Sequence, residues 1–499
     1  DHRDLHLSIR RQRQMCIRDR LGAPPLPEGF VAFVKRDCPT CELVEGVLAD
    51  IAYRANITVY TQDDPNFPSG LNNLVDDNDL FFSWHHEIET VPTLLRVTSV
   101  GETSRVVGWD RAIWEEFTGL QNLGSDIASF RPGCGSLSVD PNFAGYLEAK
   151  FSGSSLIGRR IEFAALEDSH EAMFNRGWTD GLPVIAPTEE RVLAMLAGTK
   201  RPPSEVIASV PPDLAACTVE KIAINAVMAG CKPEYLPIVL AAVEAICNET
   251  FNMHGLLATT MPHAPVLVVN GPIAEQIGMN SGGNAFGQGN RANSTIGRAV
   301  QLVVRNVGGG RPGEVDRAAL GSPAKVGFCF AEREADSPWE PISTMYGFPK
   351  GTNTVLAFPG ESPHNITDQI SRDPESLART FAVNLLGIQH TKLVLGFDAI
   401  LAVTPDHSRI FAEADWSRER LTDRIVELTI RPGKDLVRGA NGIAEGVSAD
   451  FHELELPKFR QGGLHIVHCG GGAGLFSAII GGWVNGDMGS TPVCVEITP

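Results

Sequence analysis

Hydrophobic positions in the first part of the chain fall in short runs. Residues 30–34, 57–60 and 93–97 are rich in β-branched and aromatic side chains and predict strands. Residues 41–52 and 111–120 carry apolar side chains at helical spacing and predict helices. The stretch 65–84 between them is acidic, Asn-rich and long for a loop, so it is expected to cover a site. Residues 121–154 read as a linker. From 155 to 499 the pattern predicts strands at 182–185, 266–269, 355–358, 393–395, 400–403 and 464–467. Helices are expected at 189–196, 219–228, 235–247, 294–307, 377–386 and 418–428. Alternation of this kind predicts an α/β region with helix-covered sheets. A subdivision near 340 is expected, and no repeat of 20–50 residues is visible.

Charge and composition narrow the functional classes. The net charge is −18, from 42 basic and 60 acidic residues, and no basic stripe exists, which argues against nucleic acid as a partner. No apolar run approaches the ~20 residues of a membrane span, so no membrane partner is expected. Residues 1–20 read as a sequencing artefact and are set aside. Of ten cysteines, Cys16 lies in that stretch. The other nine are scattered and odd in number, which fits reduced thiols in a cytoplasmic protein better than a disulfide scaffold.

The sharpest chemistry is Cys38-Pro39-Thr40-Cys41 at the end of the first strand, with Thr90-Val91-Pro92 further on. A C-x-x-C that opens a helix puts its first sulfur where free N–H groups and the helix dipole favour a thiolate. Lys35 and Arg36 should add to this, while Asp37 opposes it. A zinc half-site would need a second Cys or His pair able to face one ion, and the His465/His468 pair should face opposite sides of its strand; a merely structural pair is the other alternative. These motifs resemble the thioredoxin/glutaredoxin superfamily over about 28–120, with Thr-Val-Pro closer to glutaredoxins. The resemblance implies a thioredoxin-like fold, a redox-active Cys38–Cys41 disulfide, an attacking Cys38, a resolving Cys41 and Pro92 beside the sulfur. It also implies a glutathione-binding stretch after the proline strand. Gly108-Trp109-Asp110 is the nearest candidate, with Trp in place of a second Gly. Residues 131–499 further resemble an uncharacterised family of bacterial α/β proteins, through Arg131 to Ser136, Trp178 to Pro183, and Thr295-Ile296-Gly297-Arg298.

In the larger region, residues 280–293 form a Gly/Asn-rich stretch before a helix. Such a loop can turn its N–H groups onto an anion. Asn284, Gly287, Asn290, Arg291, Asn293 and Arg298 are therefore candidate binders of a small anionic substrate; a purely structural loop is the alternative. Cys469 precedes the turn Gly470-Gly471-Gly472 and reads as a second strand-end thiol, or else as a small buried residue. That turn lacks the third glycine of a dinucleotide fingerprint. Asp180-Gly181 reads as a turn. His465 and His468 should face opposite sides of one strand, and no metal signature occurs. The leading expectation is a thiol–disulfide oxidoreductase module coupled to a domain acting on a small anion, with Cys134 and Cys469 as further thiols. A small or protein thiol would be the reductant, and a homo-oligomer is open. The alternatives are a non-redox lyase or hydrolase with a docking module, and a binding protein without catalysis.

Overall fold

The computed structural model describes residues 24–499 except 100, 141–142, 145–146, 148–150, 152–155, 159–160, 162–167 and 485–488. Residues 1–20 lie outside the described residues. Contacts divide the chain into two compact units, Asp1–Ser155 and Leu156–Pro499.

The first unit is built on strands β1 (Gly29–Val34), β2 (Ile57–Thr61), β3 (Leu74–Asp76), β4 (Thr90–Val91), β5 (Thr93–Thr98) and β6 (Gly101–Val107). Three short strands follow: β7 (Trp109–Asp110), β8 (Phe130–Arg131) and β9 (Cys134–Gly135). The main sheet has the order β3-β2-β1-β5-β6, with β1 central. β1 runs parallel to β2 and antiparallel to β5. Val31 to Val34 are fully buried on it, so it reads as a continuous apolar run rather than an alternating one. The expected helix 41–52 is two helices, Pro39–Leu43 and Glu45–Arg54, meeting at Val44. The second expected helix is Arg111–Thr118, capped by the Asp110 carboxylate and closed by Gly119 in the left-handed region. Stretch 65–84 is not one long loop, because Leu74–Asp76 adds an edge strand and Phe81–His85 a helix turn. Nor is 121–140 a free linker. β8 pairs with β7, and β9 with β4, so this stretch folds back onto the first unit.

In the second unit, helices Ser169–Asn175 and Glu189–Leu196 precede the hairpin β10 (Val206–Val210) and β11 (Ala215–Thr218). Its main sheet takes strands β12 (Ala264–Asn270), β13 (Phe328–Ala331), β14 (Thr354–Gly360), β15 (His364–Thr367) and β16 (Phe397–Val403). After the small pair β17 (Arg431–Pro432) and β18 (Glu455–Leu456) come β19 (Phe459–His468), β20 (Phe476–Val484) and β21 (Val493–Glu496). The order β13-β12-β14-β20-β16-β19 is two copies of one motif, the second reversed. In each copy the first strand is parallel to the second and antiparallel to the third. The copies join at one pair, Gly360↔Gly482. A Cβ on Gly482 would stand 2.7 Å from the Asp398 oxygen, so only glycine allows this crossing.

Period-2 alternation explains the layers. Val266, Val268, Phe330 and Phe358 of one copy pack with Ile400, Val467 and Ile480 of the other. Leu267 and Val269 face outward onto helices Val219–Ala229, Leu236–Ile246 and Arg291–Asn306. Leu401, Val403 and Ile466 face outward onto helices Pro374–Leu386, Pro405–Ala412 and Arg418–Leu428. The result is one eight-stranded sheet whose two halves share an inner core and carry helices on their outer faces, with strands from both sides of residue 340 in it. Each fully buried Val, Leu or Ile contributes ~1.5–3 kcal/mol, so these three cores dominate the unit's stability.

Two expected strands do not form. Segment 182–185 is extended but unpaired as a strand: the Arg298 guanidinium takes the carbonyls of Leu182 and Pro183, and the Ile185 N–H goes to Met228. Segment 393–395 is a turn, because the buried Lys458 ammonium takes the carbonyls of Ile388, His390 and Leu393. The helix expected from 294 starts earlier, at Arg291, because the Asn290 side chain accepts from the Asn293 N–H.

Candidate functional site

Three thiols meet in the first unit. Cys38 is the N-cap of helix Pro39–Leu43, and its sulfur accepts the Cys41 N–H at 3.4 Å. The Val91 carbonyl oxygen lies 3.6 Å from the same sulfur, and the Val91–Pro92 bond is cis. β9 sets Cys134 directly opposite Val91, which brings the third thiol to Cys38. All three cysteines are free. The Cys38 thiol is held down to about 5, chiefly by a hydrogen bond from the Cys41 thiol; burial opposes this, and the Cys134 thiol and the N–H groups of Cys41 and Thr40 add to it. Burial first, and then the neighbouring Cys38, push the Cys41 thiol far up. Burial and Cys38 also raise Cys134, against the Thr40 N–H and the Lys35 charge. The thiol and N–H donors, rather than the expected Lys35 and Arg36 charges, lead in holding Cys38 down. Arg36 instead lies 3.7 Å from Asp64, while Asp63 accepts the backbone N–H groups of Arg36 and Asp37. Cys38 is enclosed, at 1% exposure, whereas Cys134 is half-buried.

Local chemistry explains why the 130–138 segment docks here. The Thr40 hydroxyl donates to the Pro132 carbonyl at 2.7 Å, and the Arg131 guanidinium to the Pro39 carbonyl at 3.2 Å. Gly133 passes so close to β4 that a Cβ would meet Thr90 Cγ2 at 2.4 Å. Beneath it runs a buried polar chain. Gln62 donates to the hydroxyls of Ser83 and Ser136, Ser83 donates to the Asp77 carboxylate, and Ser138 donates to the Ile88 carbonyl. Burial pushes the Asp77 carboxyl up to about 6, despite hydrogen bonds from Ser83 and from the Phe82 and Ser83 N–H groups. Trp109 is buried with its indole N–H on the Ala128 carbonyl, and Asp110 is spent as a helix cap.

In the second unit, each of the six candidate anion binders has a partner within the protein. The Asn284 amide donates to the Gln288 carbonyl, and Gly287 packs so that a Cβ would meet the Asn284 side chain at 2.0 Å. Asn290 caps the helix and donates to Gly278. The Asn293 side chain is buried between Asn280 and Ala285. Arg291 donates to the Gly230 carbonyl at a helix C-terminus. Arg298 makes a bidentate pair with Asp180, both bonds 2.8 Å, and is not free for an external anion. Asp180 is thus more than the expected turn residue: it anchors this arginine. Cys469 does not fit a strand-end thiolate. It is 2% exposed, its thiol donates to the Ser281 carbonyl, and burial pushes it strongly up.

The structure does bring two of the expected motifs together. The Gly470 N–H donates to Ser281, so the Cys469 turn and the 280–293 loop meet at the carboxyl ends of the parallel strands. An acidic residue that the sequence could not tell from a solvated rim shares that end. Glu332 is buried, accepts from the Asn270 amide and the Ile342 N–H, and lies 3.4 Å from Arg418. Burial raises its carboxyl, with Arg418 opposing. The two-fold arrangement pairs Asn270 with Thr404 and Glu332 with Cys469, each the residue closing or following its strand. His468 on the neighbouring position takes the Arg333 carbonyl, while His465 faces Tyr346, on the opposite side of β19 as expected. Among the described residues, no group of three or more His, Cys, Asp or Glu could hold a metal ion. No helix among them is long and apolar enough to cross a membrane.

No family model, curated protein or solved structure matches the chain.

Proposed function

We propose that the first unit is a thioredoxin/glutaredoxin-like thiol–disulfide exchange module, coupled to a second unit that acts on a small anionic molecule. The observation that carries the reading is the gathering of Cys38, Cys41 and Cys134 around one depressed thiol at a helix N-cap. The parallel β1–β2 pair, the antiparallel β1–β5 pair and the Val91 carbonyl beside Cys38 support the same reading.

The chemistry follows from the thiolate. Cys38 attacks one sulfur of a partner disulfide; that S–S bond breaks, and the departing thiolate takes a proton from water. A second thiol of the site then attacks the Cys38 sulfur, releases the partner's remaining thiol and closes an internal disulfide. Two small-thiol molecules, or one protein dithiol, return the two electrons and leave as a disulfide. For the second unit, the support is positional. Ligands of α/β sheets bind at strand carboxyl ends, where the 280–293 loop, the Cys469 turn and Glu332 converge. A buried carboxyl at that end, its pKa raised by burial, also favours a second reading, a non-redox lyase or hydrolase using Glu332 for proton transfer.

Mixing the reduced full-length chain with bis(2-hydroxyethyl) disulfide tests the first reading. Rapid release of mercaptoethanol, lost in Cys38→Ser, supports it. Equal rates for both proteins overturn it. The readings of the second unit separate by native mass spectrometry with small carboxylates. A non-redox enzyme retains the anion in Cys38→Ser and in the oxidised chain alike, whereas a coupled enzyme binds differently in the two redox states.

A further inference from the structure

We infer that Cys134, rather than Cys41, is the thiol that resolves mixed disulfides formed at Cys38. The inference rests on the exchange-module reading and assigns a role within that site.

The placement is structural. Cys134 faces Val91 across the β4–β9 pair, the Val91 carbonyl oxygen lies 3.6 Å from the Cys38 sulfur, and the Cys134 thiol is hydrogen-bonded to that sulfur. The strand is fixed there by the Thr40–Pro132 and Arg131–Pro39 hydrogen bonds and by the close passage of Gly133 over Thr90. Cys134 is half-buried and can lose its proton to solvent. Cys41 is 0% exposed, one turn inside the helix, among Val44, Val47 and Leu48.

Charge points the same way. Two of the three causes that raise Cys134 are its contacts with the Cys38 sulfur. Once Cys38 is tied up in a mixed disulfide it carries no negative charge, so both disappear. Burial is then left against the Thr40 N–H and Lys35, which pull Cys134 down. The main cause that raises Cys41 is burial, and it stays. Resolution rates follow thiolate fraction and access, so the mixed disulfide itself activates Cys134.

The step balances. Cys134 gives its proton to solvent and attacks the Cys38 sulfur. The bond from Cys38 to the partner sulfur breaks, and the partner leaves as a thiolate that is protonated by water. The product is a Cys38–Cys134 disulfide, with Cys41 still a thiol. The incoming disulfide is the only oxidant. Cys41 keeps a distinct part: its thiol and N–H hold Cys38 as the attacking thiolate.

The test uses the reduced full-length chain and one equivalent of bis(2-hydroxyethyl) disulfide. Acid quenching at successive times, alkylation and peptide mass mapping then identify the first internal disulfide. Wild type is expected to give Cys38–Cys134 first. Cys134→Ser should accumulate the Cys38–mercaptoethanol adduct and slow its loss by about ten-fold or more, while Cys41→Ser should slow it less than about three-fold. A Cys38–Cys41 disulfide formed first in wild type, with unchanged adduct loss in Cys134→Ser, overturns the assignment but leaves the module reading standing. No adduct at Cys38 in any of the three proteins refutes the module reading and the assignment with it. The wild-type map needs no variant, so a misfolded variant does not blunt the test.

Discussion

Replacing Cys41 by Ala removes the hydrogen bond that does most to hold Cys38 as a thiolate. A hydrogen bond to a charged group contributes ~1.5–3 kcal/mol, and ~1.4 kcal/mol moves a titration midpoint by about one pH unit. Cys38 should therefore titrate about one to two pH units above its value of about 5 in Cys41→Ala. Cys41→Ser keeps an O–H donor and should move it less. Arg36→Ala should leave it in place, because that guanidinium faces Asp64 rather than the sulfur. The sign for stability follows from the depressed value. The thiolate stabilises the fold above the ordinary thiol range, and this contribution is lost as pH falls through about 5. Ultraviolet thiolate absorbance of the folded chain against pH, with Cys38→Ser subtracted, reads the midpoint directly. A wild-type midpoint near ~8.5, or no rise in Cys41→Ala, would refute the reasoning.

Asp77 carries the opposite sign. Its carboxyl is raised to about 6, so the first unit should lose stability as pH rises from the ordinary carboxylate range through that value, by at most about 3 kcal/mol. Urea unfolding at several pH values should show this slope in wild type and a flatter one in Asp77→Asn. Arg298→Ala leaves Asp180 half-buried and unpaired; both side chains are mostly covered, at 14% and 13% exposure. The loss should be about 2–4 kcal/mol in thermal unfolding, and the double change with Asp180→Ala should cost less than the two single changes summed. Gly133→Ala forces a Cβ onto Thr90 and lifts β9 from β4, so it should slow Cys38–Cys134 disulfide formation while leaving the Cys38 midpoint within about one pH unit.

Much of the first unit was legible because its signals are local. Apolar runs marked β1, β2 and β5 to within a residue or two, and the C-x-x-C fixed Cys38 as a helix cap. What could not be read was the return of 130–138, since β7–β8 and β4–β9 are two-residue pairs with no periodicity of their own. Yet that return decides where Cys134 lies. In the second unit, helices Glu189–Leu196 and Arg418–Leu428 were clear from the spacing of their apolar positions. The duplicated strand motif was not, because its copies lie much further apart than the units of a short repeat: Asn270 and Thr404, which correspond, are 134 positions apart (404 − 270). The polar loop 280–293 misled for a physical reason. Asn and Gly serve turns and caps as well as anions, and here the side-chain amides bond to the loop's own backbone. Glu332 could be named as an acid but not told from a solvated rim residue, since its burial depends on strands that are distant in sequence.

Equilibrating the full-length chain in glutathione buffers of increasing oxidation, then alkylating and mapping its cysteines, tests the exchange module most directly. The account predicts one reversible two-electron transition in which Cys38 and one other thiol of its cluster lose and regain reactivity together, while Cys217, Cys231, Cys329 and Cys469 keep their reduced state throughout. If Cys38 stays a free thiol across the whole range, or is oxidised only when the chain unfolds, the cluster is structural and the central claim fails.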